Sequence, residues 1–409
     1  MEEIEKIVSE LEVENGKKAT SDPMVKASIQ TVEAFLKNHK VLCYGGTAIN
    51  NLLPPEDQFY DYTVEIPDYD FFSQTPQEHA MILANQLAKR GIKNVEVKPG
   101  MHLGTFKVFA DFEGVADITE LEPAIFKKLW EENLTKKGIH YVTPNFLRMS
   151  MYLELSRPQG DISRWTKVYT RLLLLNKHYP IQCQQENVIH HDPVPKELKR
   201  YAKQLLNHKD VVLLGFPAAE FHLRHQWTTP LMFLATKETI DRLTKGKKVI
   251  FSEGTEILPA MTSIVEPDGS IKIKFYETMA CHSFHSVGGI RVASIPTILQ
   301  FFFAYLFTNA DKGNVESTIC VAQRLMDLAS HKSKRRFEIL TPKECLGEQE
   351  SITDIRKNKS VMYEELSKNK SSPEFVRYFF TYNPNDTATK RKKARELLRK
   401  TRKSRFGKS

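Results

Sequence analysis

The segment Ile66-Pro67-Asp68-Tyr69-Asp70-Phe71-Phe72 places two carboxylates two residues apart in an otherwise apolar run. Read as a strand, it projects Asp68 and Asp70 to one face and turns Tyr69 and Phe71 to the other. Two carboxylates held side by side repel each other, which is costly without a cation. A hard divalent ion removes that cost.

The flanking sequence repeats the theme. Upstream, Val41-Leu42-Cys43-Tyr44 reads as a short buried strand ending abruptly at Gly45-Gly46, and Thr47 to Leu53 as a helix start closed by Pro54-Pro55. Without β-carbons the glycines let the backbone approach a phosphate closely; the N–H groups of the helix start then point at the anion, and Thr47 can add a hydroxyl donor. Downstream, Phe106–Phe112 and Val115–Leu121 read as two strands around a turn at Glu113-Gly114. Asp117, in Val115-Ala116-Asp117-Ile118, is a third acid with apolar flanks; Asp111 is its rival. Three acids on neighbouring strands can hold two metal ions, one activating a hydroxyl nucleophile and one steadying a triphosphate and its leaving group. Each element alone is a weak signal. The bland alternative is surface acids beside a structural glycine turn, and the apolar residues around every acid weigh against it.

Length and composition set the frame. The 409 residues allow two or three domains, and 41% hydrophobic with 27% charged residues is ordinary for a globular chain. No apolar stretch approaches the ~18 residues of a membrane helix, and the acidic N-terminus has no signal-peptide core, so a cytosolic placement is expected. Five cysteines at wide spacings, with no CxxC, predict reduced, mostly buried thiols. The net charge of +9 belongs to the end: residues 390–409 carry eleven bases and one acid, leaving 48 bases against 49 acids elsewhere. Such a tail suits phosphate backbones or import receptors; a solvated, disordered end explains the charge equally well.

Periodicity predicts helices over 2–12 and 24–38, the second started by Ser21-Asp22-Pro23, then over 76–89, 145–155 and 162–178. After a polar stretch containing His190-His191-Asp192, helix 196–207 leads to strand Val211–Leu214, which again ends in glycine, Gly215. A hairpin around Pro267-Asp268-Gly269 and an apolar helix from Ile295-Pro296 to Phe307 follow. The second half thus repeats the order strand, glycine turn, helix, hairpin, helix.

The motifs VLCYGGTAINNLLP, IPDYDFFSQTP and FADFEGVADITEL, in that order, resemble the polymerase-β-like nucleotidyltransferase superfamily, and within it the poxvirus and giant-virus poly(A) polymerase catalytic subunits. FLRMSMYLELSRPQGDISRWTKVYTRLLLLN is similar to the same subfamily, so the likeness covers about residues 35–178. It implies an α+β fold: an N-terminal helical segment (1–38), a catalytic nucleotidyltransferase domain with a helical extension (39–180), a second, degenerate nucleotidyltransferase-like domain (195–330) and a basic C-terminal extension (331–409). It implies template-independent transfer of AMP from ATP to an RNA 3′ end, with Mg2+ or Mn2+ on Asp68, Asp70 and Asp117 and triphosphate on Gly45, Gly46 and Thr47. It further implies action in the host cytoplasm or in the virion, a nuclear location being open through the tail. A homodimer and a separate processivity subunit both stay open as partners. After Gly215 no DxD appears, so the second domain departs from the pattern and is expected to serve structure or RNA handling.

Arg164 and Lys167, three apart near a helix start, are candidates for phosphates or RNA backbone, level with a solvated basic edge; Arg148, Arg157 and Arg171 are weaker ones. His222, His225, His282 and His285 are spaced for metal ligation but lack partners in order, so ordinary packed or surface histidines are expected. The run Phe375, Tyr378, Phe379, Phe380, Tyr382 could stack bases, and packing is favoured. Two alternatives to the polymerase stay open: an inert RNA-binding or assembly subunit, and a nucleotidyltransferase with another nucleotide or acceptor.

Overall fold

The computed structural model describes residues 2–184, 192–278, 280–308 and 315–406; His190 and His191 lie outside them. The chain forms two compact units, Met1–Thr143 with Ile352–Ser409, and Pro144–Ser351. The grouping differs from the boundaries expected from sequence: the helices after Thr143 join the second unit, and residues 352–409 join the first.

In the first unit, α1 (Glu2–Ser21) runs unbroken through the polar stretch where the sequence suggested a stop. Asp22 caps α2 (Pro23–Asn38), its Oδ1 accepting from the N–H groups of Met24 and Val25. Then follow β1 (Leu42–Tyr44), α3 (Gly45–Leu52), β2 (Tyr69–Ser73), α4 (Pro76–Lys89), β3 (Val95–Pro99), β4 (Thr105–Ala110), β5 (Glu113–Glu120), α5 (Pro123–Glu131), β6 (Leu134–Lys136) and β7 (Ile139–Tyr141). The seven strands pair in the order β3-β4-β5-β2-β1-β7-β6. Alternation decides the faces: Phe106, Val108, Ile118 and Phe71 are buried, and α2 and α4 pack against the sheet. Phe72 on the opposite face stacks on Tyr44 at 3.9 Å.

The second unit contains α6 (Pro144–Leu155), α7 (Trp165–His178), α8 (Lys196–Leu206), β8 (Val211–Leu214), α9 (Gly215–Leu223), β9 (Leu231–Ala235), α10 (Lys237–Thr244), β10 (Val249–Ser252), β11 (Met261–Val265), β12 (Ile271–Glu277), β13 (His282–Val287), β14 (Ile290–Ala293), α11 (Ile295–Tyr305), α12 (Val315–Ser330) and β15 (Cys345–Leu346). Its sheet runs β10-β11-β12-β9-β8-β14-β13-β15. Strand for strand, up to the added β15, this is the order of the first sheet. The directions also agree: β1–β2 and β8–β9 are antiparallel, β2–β5 and β9–β12 parallel, β1–β7 and β8–β14 parallel. The repeat read from the sequence is therefore a repeat of topology. Every residue of α11 is buried, Phe301, Phe302 and Phe303 among them, which is why its sequence is apolar on every side apart from Thr297 and Gln300.

The first unit is completed by α13 (Ile352–Leu366), α14 (Pro373–Phe379) and α15 (Ala388–Phe406). Val97 and Tyr382 exchange backbone hydrogen bonds, tying the segment after α14 to β3. Phe379, Phe380 and Tyr382 are buried, as packing required. The basic end is helical as far as Phe406, and α15 packs against α14.

Two local readings need correction. The β4–β5 turn is at Asp111-Phe112, both with positive φ (49° and 72°), and Gly114 lies inside β5 beside a bulge. The cysteines are not all reduced: Cys183–Cys320 and Cys281–Cys345 are disulfides, and Cys43 is free and buried. Wide spacing along the chain is no guide here, because folding brings the two Cα pairs to 4.7 and 5.2 Å.

At Gly215 φ is +64°, and a β-carbon would lie 2.3 Å from the Met232 sulfur. Gly215→Ala is expected to cost about 1–2 kcal/mol from the left-handed backbone alone. Urea unfolding measures it; an unchanged midpoint would refute the strained turn.

Candidate active site

The acids converge through strand register. β1 and β2 pair Tyr44 with Asp70, and β2 and β5 pair Asp70 with Asp117. Asp68 stands immediately before β2, two residues from Asp70 and so on the same face. Helix α3 begins directly after Tyr44, and no side chain caps its N-terminus. The turn is possible because Gly45 has φ +74°, and it is close because a β-carbon there would lie 2.6 Å from Asp70 Oδ2.

The hairpin adds a cation that sequence reasoning missed. Lys107 lies opposite Asp117 across β4–β5, its Nζ 3.3 Å from Asp117 Oδ1. Gly114 leaves it room, since a β-carbon there would meet Lys107 Cε at 2.8 Å. Burial pulls the Lys107 ammonium down, but the charges of Asp117, Asp68 and Asp70 outweigh that and raise it. The signal for Lys107 was in the alternation of Phe106, Val108 and Ala110, all buried. A turn at Glu113-Gly114 puts Lys107 across from Glu120 instead, and hides the pairing.

Burial raises the Asp117 carboxyl above its ordinary range, partly offset by Lys107. Asp68 is raised as well, first by the protein around it and then by the charge of Asp117, although solvent reaches its tip. Asp117 Oδ1 is sealed from solvent, with the Lys107 ammonium as its neighbour. The donor set, three carboxylates brought together with Asp68 and Asp117 both raised, fits Mg2+ or Mn2+. Behind it, the Tyr44 hydroxyl and Thr119 Oγ1 are 3.0 Å apart, and Thr119 and Thr105 Oγ1 likewise, a hydroxyl chain running from β1 across β5 to β4.

The remaining candidates are placed as follows. Asp111 is exposed in the turn and accepts from Asn94, so it does not share the face of the other acids. Gly46 follows Gly45 in the first turn of α3. Thr47 is buried and donates its hydroxyl to the Asp68 carbonyl at 2.6 Å; its proton braces the approach to β2 rather than standing free. Arg164 and Lys167 belong to the second unit; Arg164 ends a 3-10 turn and its Nε pairs with Glu154 at 3.2 Å, while Lys167 is in α7. Arg148 is buried, bonded to Asn176 and Asn145, and drawn down to about 10 by burial, a packing role. Three of the histidines are packed: His222 bonds the Ala293 carbonyl, His285 stacks on Phe337, and burial lowers His222 and His285 to about 4 and His282 to about 3; His225 is exposed and meets Glu220 at 2.7 Å.

In the second sheet the same register reads differently. Leu214 pairs with Met232 and Met232 with Lys274, so a thioether and an ammonium occupy the positions of Asp70 and Asp117; Pro230 occupies that of Asp68.

Residues 30–161 match the family model of the poly(A) polymerase catalytic subunit. A protein of that name from Acanthamoeba polyphaga mimivirus is 27% identical over 212 residues, 49% of this chain and 36% of the relative. One from African swine fever virus is 31% identical over 180 residues, 42% of this chain and 38% of the relative. The chain is related to these viral proteins. It spans little more than a third of the length of the curated relatives it matches. Among solved structures, the Megavirus polyadenylate synthase superposes with a TM-score of 0.82 at 20% identity, covering 98% of this chain and 89% of that one. That likeness establishes the fold alone, with its two sheets. The matched segment contains Gly45, Gly46, Thr47, Asp68, Asp70 and Asp117, and stops short of Arg164 and Lys167. Among the described residues no helix is long and apolar enough to cross a membrane.

Because burial disfavours the charged Asp117, its folded pKa lies above its unfolded one. The folded state then binds the more protons in that window, and stability falls as pH rises through it. Asp117→Asn removes this penalty and is expected to raise the melting temperature at neutral pH in EDTA. A lower melting temperature would contradict the desolvation account.

Proposed function

We propose that this chain is a template-independent poly(A) polymerase, adding AMP from ATP to RNA 3′ ends. The observation that carries the reading is the Tyr44–Asp70–Asp117 register, with the start of α3 closed onto Asp70 by Gly45. The segment of this chain that matches the family model contains all of these residues.

Asp68, Asp70 and Asp117 would hold Mg2+ or Mn2+, which supply charge neutralisation at the triphosphate and activation of the attacking hydroxyl. The open N-terminus of α3, with Gly46 bare of side chain, offers N–H groups to the triphosphate. The RNA 3′ oxygen bonds to the α-phosphorus, the bond to the β-phosphate oxygen breaks, and pyrophosphate leaves. The hydroxyl proton goes to a carboxylate of the cluster, Asp117. Lys107 holds Asp117 in place and limits the rise of its pKa. Arg164 and Lys167 are assigned to RNA backbone or phosphate. The site of action is the host cytoplasm or the virion, and a second copy or a processivity subunit would serve as partner.

The inert-subunit alternative fits the second unit, where Pro230, Met232 and Lys274 replace the acids, but not the first. A change of nucleotide or acceptor is settled by supplying each ribonucleotide in turn. Metal-dependent incorporation of labelled ATP into an RNA primer is the direct assay. Asp68→Ala with Asp70→Ala, and Asp117→Ala alone, are each expected to cut it at least about 100-fold. Asp111→Ala should keep most of it. Wild-type rates in the double variant would sink the assignment, and loss at Asp111 would move the third acid.

A further inference from the structure

A second concentration of chemistry lies between α14 and α15, sharing no residue with the acid cluster. Phe375 and Phe379, ring centroids 5.6 Å apart, form part of the wall of a cavity of about 260 Å3. Lys370, Lys390, Arg391 and Lys393 line it as well. Lys390 is paired with Asp386 at 3.2 Å. Among the described residues, Lys370, Arg391 and Lys393 enter no ion pair. Arg391 Nε is sealed from solvent without a hydrogen-bond partner. The positive charge of Lys370, Arg391 and Lys393 beside the cavity suits an anion in it.

We propose that this cavity binds one nucleotide, its base against the phenyl wall and its phosphate on Arg391 and Lys393. An inorganic anion would use the cations and leave the rings idle; an apolar ligand would do the reverse. A nucleotide uses both, and the cavity has room for about one. The source can be a free nucleotide or one residue of an RNA strand. Along α15 the bases Lys392, Arg395, Arg399 and Lys400 stand ready for neighbouring phosphates, which favours the strand. Stacking on phenyl rings tolerates any base, so the site holds RNA without reading it.

The test uses the full-length chain in EDTA, so that nothing depends on catalysis. A labelled oligo(A) is titrated by fluorescence anisotropy across a salt series, with AMP and inorganic phosphate as separate competitors. Phe375→Leu should weaken RNA binding about five-fold or more with the salt slope unchanged. Arg391→Gln should weaken it and flatten the slope by roughly 0.7, one phosphate contact on a single strand. AMP should compete better than phosphate. If AMP binding falls with RNA binding in both variants, free nucleotides share the site; if only RNA binding falls, the strand is the ligand, and either result upholds the cavity. Melting curves check folding, and Arg391→Gln carries the test should Phe375→Leu unfold. Unchanged RNA and AMP affinities in a folded Arg391→Gln variant would overturn the proposal. A chain that adds no AMP yet loses RNA affinity in Arg391→Gln would retain this site and lose only the polymerase reading.

Discussion

The approach of Gly45 to Asp70 is the contact on which the site rests. A strand must become a helix within one residue, and the helix start must fall beside a carboxylate on the neighbouring strand. A left-handed φ of +74° makes the turn, and the missing β-carbon lets Asp70 Oδ2 occupy the space a side chain would take. The open N-terminus of α3 carries a partial positive charge, so the closeness also stabilises the anion. Register then does the rest. Tyr44 fixes Asp70 from one side, and Asp70 fixes Asp117 from the other.

Three acids on one face are costly, and the sheet concentrates that cost. Its other face is covered by α2 and α4, which makes the strands rigid and leaves the acids no route of escape by register slip, since a one-residue shift would bury them and expose Phe71 and Ile118. Lys107 offsets part of the repulsion, but the carboxyls of Asp68 and Asp117 stay raised. The stable fold thus carries an unfavourable electrostatic arrangement that a bound cation would relieve, the kind of local conflict expected at a functional site.

How much of this was legible in the sequence follows from what each signal depends on. Strand alternation and glycine placement depend on nearest neighbours, and the β1 turn, the DxD face and β8 with Gly215 were read from them. Pro23, Pro76 and Pro296 marked helix starts for the same reason, each fitting a first turn whose N–H needs no partner. Lys107 was not legible, because its partner depends on a hairpin register, and Gly114 drew the turn away from Asp111-Phe112. The disulfides and the return of residues 352–409 to the first unit are long-range closures, invisible to any local pattern.

The second sheet separates what the fold requires from what chemistry adds. It keeps the positive-φ glycine, Gly215, although Met232 stands where Asp70 does in the first. The glycine at this corner is therefore demanded by the strand-to-helix turn itself, with or without an acid beneath it. The next position behaves differently. Gly46 of the first copy corresponds to Phe216 of the second, which fits the same helix start and is buried there. No backbone requirement explains a glycine at 46, where a large side chain is sterically compatible with the turn. What distinguishes the two copies is the presence of acids, and the bare backbone at Gly46 occurs only beside them. Of the two glycines, Gly45 belongs to the architecture, and Gly46 is the one that the turn itself does not require.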